Sequence, residues 1–162
     1  MRLHNAVAEK VSESKMYEYN CELDRVVDGD TVDVNIDLGF GIWLRKERVR
    51  VMGIDTPESR TSDPVEKVFG KAAAARLKEL IQGDCILCTT KDRSGEDERG
   101  KFGRVLGDFK VLWKDETRKV TDILIEEGHA VAYWGGSKDD LTEQHEKNRA
   151  FLIAGGIVTL PE

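Results

Sequence analysis

Apolar and polar residues alternate in three stretches of the N-terminal third, with the period of a half-buried β-strand. Every second residue is apolar across residues 17–23, and the same alternation returns across residues 32–38. The sequence GFG at residues 39–41 reads as a turn, and a third apolar run continues through Val49, Val51 and Ile54. These patterns predict three consecutive strands.

The period then changes to that of an amphipathic helix. Asp63 is a typical N-cap, Pro64 suits the first helical position, and Glu66 places a negative charge in the first turn. Gly83 is a typical helix terminator. The apolar residues that fall on one stripe between these signals are Val65, Phe69, Ala72, Ala73, Leu77, Leu80 and Ile81.

Two shorter helices are predicted towards the C-terminus. Thr121 or Asp122 caps the first, which ends at Gly128, and Thr142 begins the second, which runs to about Ala154. No repeat, low-complexity tract or linker divides the sequence.

Two further strand patterns cover about residues 85–90 and 105–113, with a charged, glycine-containing loop between them. Three strands, a helix, two strands and two helices make an α+β fold. This order matches the five-stranded Greek-key β-barrel of the OB-fold, with three α-helices. We predict one domain over residues 17–162, preceded by a polar N-terminal extension over residues 1–16.

The composition is that of a globular protein. The 162 residues are 40% hydrophobic and 35% charged. No stretch reaches the roughly 18 apolar residues of a membrane span, and the first residues lack the apolar segment of a secretory signal. We therefore expect an intracellular monomer that does not bind membranes, or a mature form that has already been trimmed.

The net charge of −6 argues against a general binder of polyanions. The charge is uneven, however, because WLRKERVR at residues 43–50 carries four basic residues and one acidic residue. The local field decides whether a phosphate binds at a given site, so the acidic balance does not exclude nucleic acid.

Three cysteines, Cys21, Cys85 and Cys88, are too few for a disulfide framework and cannot all pair. Cys85 and Cys88 have a CxxC spacing, but in a strand their side chains point to opposite faces. A zinc site would need two more ligands in a recognisable spacing, and redox chemistry would need a helix N-terminus to lower a thiol pKa. We expect ordinary core or surface thiols.

Two acidic motifs interrupt strand patterns: VVDGDTV at residues 26–32 and VRVMGIDTPE at residues 49–58. In the first, Asp28 and Asp30 are equally consistent with a simple turn. In the second, Thr56 precedes Pro57 and is therefore expected to be extended, with its carbonyl free to face a ligand. Two carboxylates and a carbonyl form part of a hard-oxygen shell, which suits calcium better than magnesium.

Five motifs in this order and at these intervals resemble the staphylococcal nuclease (thermonuclease) family: VVDGDTV, VRVMGIDTPE, EKVFGKAAA, GKFGR and EEGHAVAY. The resemblance covers about residues 23–145. It implies an OB-fold barrel with three helices and calcium-dependent hydrolysis of phosphodiester bonds in DNA and RNA.

The resemblance also implies roles for individual residues. Asp30, Asp55 and the carbonyl of Thr56 would hold calcium, and Glu58 would orient or deprotonate the attacking water. Taken alone, Glu58 is also consistent with the start of a helix or loop.

Arg50 and Arg104 would bind the scissile phosphate, since guanidinium forks match phosphate geometry. Their simpler interpretations are an exposed strand position and a solvated loop charge. Lys101 matches a position near a terminal phosphate, and Tyr133 roughly aligns with a residue of the nucleotide pocket. Trp134 is a weaker candidate for the same pocket.

Phe102 stands where the family often has tyrosine, so a hydroxyl contact is lost while stacking on a base is retained as an alternative to packing. The three histidines, His4, His129 and His145, have no catalytic partner evident in the sequence, and we expect His145 to be structural or exposed.

The sequence therefore predicts a calcium-dependent nuclease that hydrolyses DNA and RNA, prefers single strands and leaves 3′-phosphate ends. The alternative is a non-catalytic OB-fold module that binds nucleic acid or a protein. Such a module would be expected to lose metal carboxylates or arginines, and this chain retains them.

Overall fold

The computed structural model describes residues 16–83, 85–90 and 103–162. Apart from residue 16, the predicted N-terminal extension lies outside these ranges, and so do Lys101 and Phe102.

The described residues contain eight β-strands. Their bounds are β1 (Met16–Asp28), β2 (Thr31–Asp37), β3 (Trp43–Val51), β4 (Gly53–Asp55), β5 (Cys85–Thr90), β6 (Val105–Trp113), β7 (Glu116–Lys119) and β8 (Val131–Tyr133). Six of them form one sheet in the order β3-β2-β1-β5-β6-β7, and β4 pairs with β8.

The sheet closes into a barrel because β3 also pairs with β6, in parallel. Val49 lies opposite Val105, and Val51 lies opposite Gly107. The closed set is β1, β2, β3, β6 and β5, and β7 extends it at one side. The predicted five-stranded OB-fold barrel of an α+β protein is confirmed.

Alternating side chains from these strands fill the barrel. Val32, Val34 and Ile36 of β2 are buried, as are Val49 and Val51 of β3. This is the expected result of a period of two on a sheet with one face turned inwards.

The third predicted strand is in fact two strands. β3 ends at Val51, and β4 begins at Gly53, where φ is +86°. A Cβ at Gly53 would lie 2.8 Å from the indole of Trp134, so this position requires glycine for both its backbone angle and its space. The break directs β4 towards β8, where Asp55 lies opposite Val131.

The first helix, α1 (Pro64–Ile81), begins as predicted. The Asp63 carboxylate accepts hydrogen bonds from the backbone nitrogens of Val65 at 2.9 Å and Glu66 at 3.2 Å. The helix ends at a cap on Gln82, and Gly83 follows with φ +117°. Its buried residues are Phe69, Gly70, Ala73, Leu77, Leu80 and Ile81.

The second helix, α2 (Val120–Glu126), starts earlier than predicted, and the proposed caps are wrong. Its N-cap is Lys119, which ends β7, so the chain passes from strand to helix without a loop. The hydroxyl of Thr121 donates instead to the Asp108 carboxylate at 2.7 Å, which leaves it unable to cap the helix.

The third helix, α3 (Thr142–Ala154), has the predicted bounds and follows a short 3-10 turn at Asp139–Leu141. None of the helices in the described part of the chain combines the length and apolar character that a membrane crossing requires.

Candidate active site

A cavity of about 380 Å³ brings the predicted metal and phosphate residues together. The sequence candidates that line it are Asp30, Arg50, Asp55, Thr56, Glu58 and Arg104. They come from the β1–β2 turn, β3, β4, the loop before α1 and the residue before β6. The structure thus assembles six predicted residues from these five parts of the fold.

Asp30 joins the two acidic motifs. One carboxylate oxygen accepts from the Thr31 hydroxyl at 2.9 Å, and the other accepts from the backbone nitrogen of Thr56 at 3.3 Å. The preceding Gly29 packs against α1, since a Cβ there would lie 2.7 Å from the Cβ of Ala73. The absence of a side chain at Gly29 therefore lets the β1–β2 turn pack closely against α1.

Asp28 is a brace between the same two motifs. Its Oδ1 accepts from the backbone nitrogen of Ser59 at 3.0 Å and also from the Ser59 hydroxyl. This contact ties the end of β1 to the residue after Glu58. Asp28 is therefore more than a turn former, and its partner Ser59 has no signal in the sequence.

Arg50 is held in place by backbone carbonyls. Its Nη2 donates to the Ile54 carbonyl at 2.9 Å, and its Nη1 donates to the Val51 carbonyl. Nη2 also lies 3.4 Å from the Asp30 carboxylate. The side chain is 17% exposed, so a positive charge is fixed at the wall of the cavity beside a carboxylate.

Asp55 has both carboxylate oxygens engaged. Lys138 Nζ donates to Oδ1 at 2.8 Å, and His145 Nε2 lies 2.9 Å from Oδ2. Burial opposes the charge on Asp55, but these two partners outweigh it and hold the pKa of Asp55 below its usual range. The hydrogen bond to Asp55 likewise raises the pKa of Lys138.

His145 was expected to be structural or exposed; its side chain is mostly covered and contacts Asp55, a predicted metal ligand, so it has a partner that the sequence did not reveal. Lys138 was missed as well, although it lines the cavity. These residues are separated from Asp55 by 83 and 90 positions, so no local pattern could have paired them.

Glu58 lies on a loop that rests directly on α1. Its backbone nitrogen donates to Glu66 Oε1 at 3.3 Å. A Cβ at Gly70 would overlap the backbone carbonyl of Glu58 and the nitrogen of Ser59. Because Gly70 has no Cβ, the loop backbone can pack directly against the helix at this position. This contact explains a glycine in the middle of a helix.

A second cavity of about 630 Å³ adjoins the first and shares Asp28, Thr31 and Arg104 with it. Lys46 and Arg48, from the basic stretch of β3, line this second cavity. The concave surface therefore continues from the acidic site along a positively charged strand.

The two predicted substrate contacts, Lys101 and Tyr133, differ in what the structure says of them. Lys101 lies outside the described residues. Tyr133 does not line the cavity; its hydroxyl donates to the Gly136 carbonyl at 2.7 Å, and Lys138 Nζ lies 5.5 Å from its ring centroid. The Tyr133 ring therefore packs against the ammonium group of Lys138. A contact between Tyr133 and substrate stays a prediction.

The donor chemistry fits a hard divalent cation. Asp30 and Asp55 supply carboxylate oxygens, and Thr56 lines the same cavity. Within residues 16–83, 85–90 and 103–162, no group of three His, Cys, Asp or Glu side chains is arranged as a metal cluster. Any cation would thus rely on two carboxylates, a backbone oxygen and water.

Comparison with known proteins agrees with the geometry. The family model described as staphylococcal nuclease homologue matches residues 48–150. Endonuclease YncB of Bacillus subtilis (strain 168) is 34% identical over 70% of this chain and 48% of its own length. Micrococcal nuclease of Shigella flexneri is 29% identical over 88% of this chain and 75% of its own length.

Thermonuclease of Staphylococcus intermedius is 34% identical over 51% of this chain and 43% of its own length. The chain thus spans only about half the length of two of these three relatives. The family match covers well over half of the chain, from β3 into α3, and contains Arg50, Asp55, Glu58 and Arg104. The chain belongs to the staphylococcal nuclease homologue family.

Proposed function

We propose that the protein is a calcium-dependent nuclease that hydrolyses phosphodiester bonds of DNA and RNA, prefers single strands and leaves 3′-phosphate ends. The observation that carries the proposal is the cavity in which Asp30, Asp55, Glu58, Arg50 and Arg104 meet. Relatives named endonuclease, micrococcal nuclease and thermonuclease support the general part of this proposal, nuclease activity.

Asp30 and Asp55, with the backbone oxygen of Thr56, are the residues that would hold the cation. Calcium would supply a Lewis acid that binds both the phosphate and the attacking water. The hydrogen bond from the Thr56 nitrogen to the Asp30 carboxylate holds these two proposed ligand residues together without a cation.

Glu58 is the proposed general base. It lines the cavity and has its backbone fixed against α1 at Gly70. A carboxylate in this position accepts a proton from water as the oxygen attacks phosphorus. Attack opposite the 5′-oxygen breaks the bond between phosphorus and that oxygen, so the phosphate remains on the 3′ side.

Arg50 and Arg104 neutralise the charge that builds on the equatorial phosphate oxygens. Arg50 suits this role because backbone carbonyls already orient its guanidinium, so little ordering is needed when the phosphate binds. Loss of either arginine is expected to lower the rate by about 10³-fold.

The cavity offers carboxylates, guanidiniums and an ammonium group, all of which address phosphate or metal. Contacts of this kind fix the position of a nucleic acid and carry little information about base sequence. We therefore expect low base specificity and cleavage of both DNA and RNA. An exposed phosphodiester on a flexible single strand fits such a concave site more easily than a duplex.

One observation favours the alternative, a non-catalytic binding module. Lys138 and His145 already satisfy both oxygens of Asp55 without a cation. A chain that had given up metal binding would retain this arrangement.

A cleavage assay separates the two functions. End-labelled single-stranded DNA is incubated with the protein in calcium or in chelator, beside Glu58→Ser and Arg50→Ala. Arg45→Ala is the matched control, because Arg45 is an exposed arginine on the same strand as Arg50 and does not line the cavity.

We expect calcium-dependent cleavage that Glu58→Ser and Arg50→Ala abolish and Arg45→Ala retains, with products that a 3′-phosphatase shifts on a gel. Binding of the DNA without cleavage in calcium would contradict the proposal and establish the binding module.

A further inference from the structure

Two of the three cysteines form a close pair inside the barrel. The Sγ atoms of Cys21 on β1 and Cys85 on β5 lie 3.1 Å apart. The side chains belong to residues that are 6% and 4% exposed. The structure holds them as thiols.

The register of the strands is compatible with a disulfide. Cys21 and Cys85 lie directly opposite each other in the antiparallel β1–β5 ladder. Residues opposite each other in such a ladder have Cα atoms about 4.5 to 5.5 Å apart. Disulfides require about 4.4 to 6.8 Å, a range that includes this spacing, so the ladder brings the two cysteines within reach of a bond.

The third cysteine is separate from this pair. Cys88 lies opposite Glu18 in the same ladder, and its Sγ faces the Ile86 carbonyl at 3.9 Å. The strand separates it from Cys85 because side chains three positions apart point to opposite faces. Cys88 therefore provides a buried cysteine for comparison with the pair.

A small reagent has a route to the pair. Cys21 and Cys85 both line a cavity of about 560 Å³, together with Asn20, Trp43 and Lys110. The lining of this cavity shares no residue with the candidate active site. Chemistry at the cysteines is thus spatially independent of the acidic cluster.

We propose that Cys21 and Cys85 are a redox-sensitive pair that a low-molecular-weight disulfide converts into a cross-strand disulfide bond. One cysteine sulfur displaces a thiol from the reagent and forms a mixed disulfide, and the other sulfur then displaces the second thiol. Two protein S–H bonds and one reagent S–S bond break. One protein S–S bond and two reagent S–H bonds form, so atoms and electrons balance.

The surroundings make the reaction slow without preventing it. The contact with Cys85, followed by burial, raises the pKa of the Cys21 thiol well above its usual range. Because the thiolate is the nucleophile, oxidation is expected to accelerate as the pH rises. The bond would link residues 64 positions apart and constrain the unfolded chain, so the oxidised protein should resist urea better.

The test uses the full chain under native conditions with 2-hydroxyethyl disulfide as the oxidant. The reagent is removed, the protein is unfolded in guanidinium, and the remaining thiols are counted and the linked peptides identified by mass spectrometry. The reduced protein contains three thiols. We expect one thiol to remain, a mass loss of two hydrogen atoms, and a peptide that joins Cys21 to Cys85.

Cys88→Ser should still form the bond, whereas Cys21→Ser should not. The wild-type peptide map decides the question even if a variant fails to fold. Three remaining thiols, a stable adduct with the reagent, or a link that involves Cys88 would overturn the proposal.

Discussion

Two buried carboxylates, Asp33 and Asp55, occupy similar environments and differ in what holds them. Asp33 is 7% exposed and Asp55 is 8% exposed. Asp33 accepts from Arg48 Nε at 2.8 Å and from Arg25 Nη2 at 3.1 Å. These arginines lie only 15 and 8 residues away, on strands that pair with β2 in the same sheet.

Asp55 is also bound by two nitrogen groups, but these are Lys138 and His145. They come from a separate part of the chain, beyond the barrel strands. Each makes a single contact with one oxygen, while Arg48 makes two parallel contacts with Asp33.

The different partners indicate different roles: Asp33 is a structural carboxylate, whereas Asp55 is suited to exchange its partners. Guanidinium groups stay charged and form rigid forks, so Asp33 is fixed in its sheet. The ammonium group of Lys138 is a point charge that another cation can replace, and the imidazole of His145 makes one contact rather than a fork. Asp55 is therefore the carboxylate whose environment is compatible with reversible cation binding.

The strongest test of this contrast removes the charge from each carboxylate. Asp55→Asn should lower the proposed calcium-dependent cleavage by about 10³-fold, because the proposed cation ligand is lost. Asp33→Asn should leave the rate within about threefold, since the described partners of Asp33 are Arg25 and Arg48 of the same sheet and it does not line the first cavity. Equal losses in both variants, measured at temperatures where both remain folded, would refute the distinction.

A second test changes the packing between α1 and the loop that carries Glu58. Gly70→Ala should displace the loop that carries Glu58, and a shift of about 1 Å costs about a hundredfold in rate. Glycine to alanine within a helix normally stabilises it, so a loss of both stability and rate would be diagnostic. The matched control is Gly155→Ala, where the nearest atom to a new Cβ is 3.4 Å away.

A third, smaller effect concerns the exchange of cations at Asp55. Lys138→Gln removes a competing charge and should tighten calcium binding about fivefold, since an ion pair whose ammonium group is exposed contributes about 1 kcal/mol. Calorimetry at low salt would measure this change. Lys147→Gln, an exposed lysine of α3 paired with Glu143, should leave the affinity unchanged. Weaker binding in Lys138→Gln would mean that Lys138 helps to form the site.

The smallest effect belongs to Asp33 and depends on pH. The hydrogen bond from Arg48 holds the pKa of Asp33 below its usual range. The resulting stabilisation is present above the unfolded pKa of about 4 and is lost as the pH falls through the lower folded pKa. Asp33→Asn should thus cost about 1 kcal/mol at pH 6 and less at pH 3 in urea unfolding.

A constant difference between Asp33→Asn and the wild type at both pH values would show that the arginines do not act through the charge. Asp24→Asn, an exposed carboxylate on β1, is the control for general acid effects.

The regular elements could be predicted because their signals are local. The alternation in β2 and the Asp63 cap of α1 depend on residues a few positions apart, and both are confirmed. The start of α2 was mispredicted because Thr121 uses its hydroxyl on Asp108, a contact that depends on the tertiary fold. The break at Gly53 depends similarly on the packing of Trp134.

The residues of the candidate site also fall into those that the sequence could predict and those that it could not. Family spacing placed Asp30, Asp55 and Glu58 in one cavity, as the structure has them. Lys138 and His145 could not be placed because their only signal is a contact across the fold.

Helix α3 gives the acidic site a dynamic property. All residues of α3 are described, and Leu152 is the one that is fully buried, where it packs with Phe69 and Val158. A helix with so few apolar anchors opens locally before a barrel does, and its amide hydrogens exchange sooner. Each opening would carry His145 away from Asp55. The fluctuations of a peripheral helix would therefore set how often the carboxylate at the centre of the site is released.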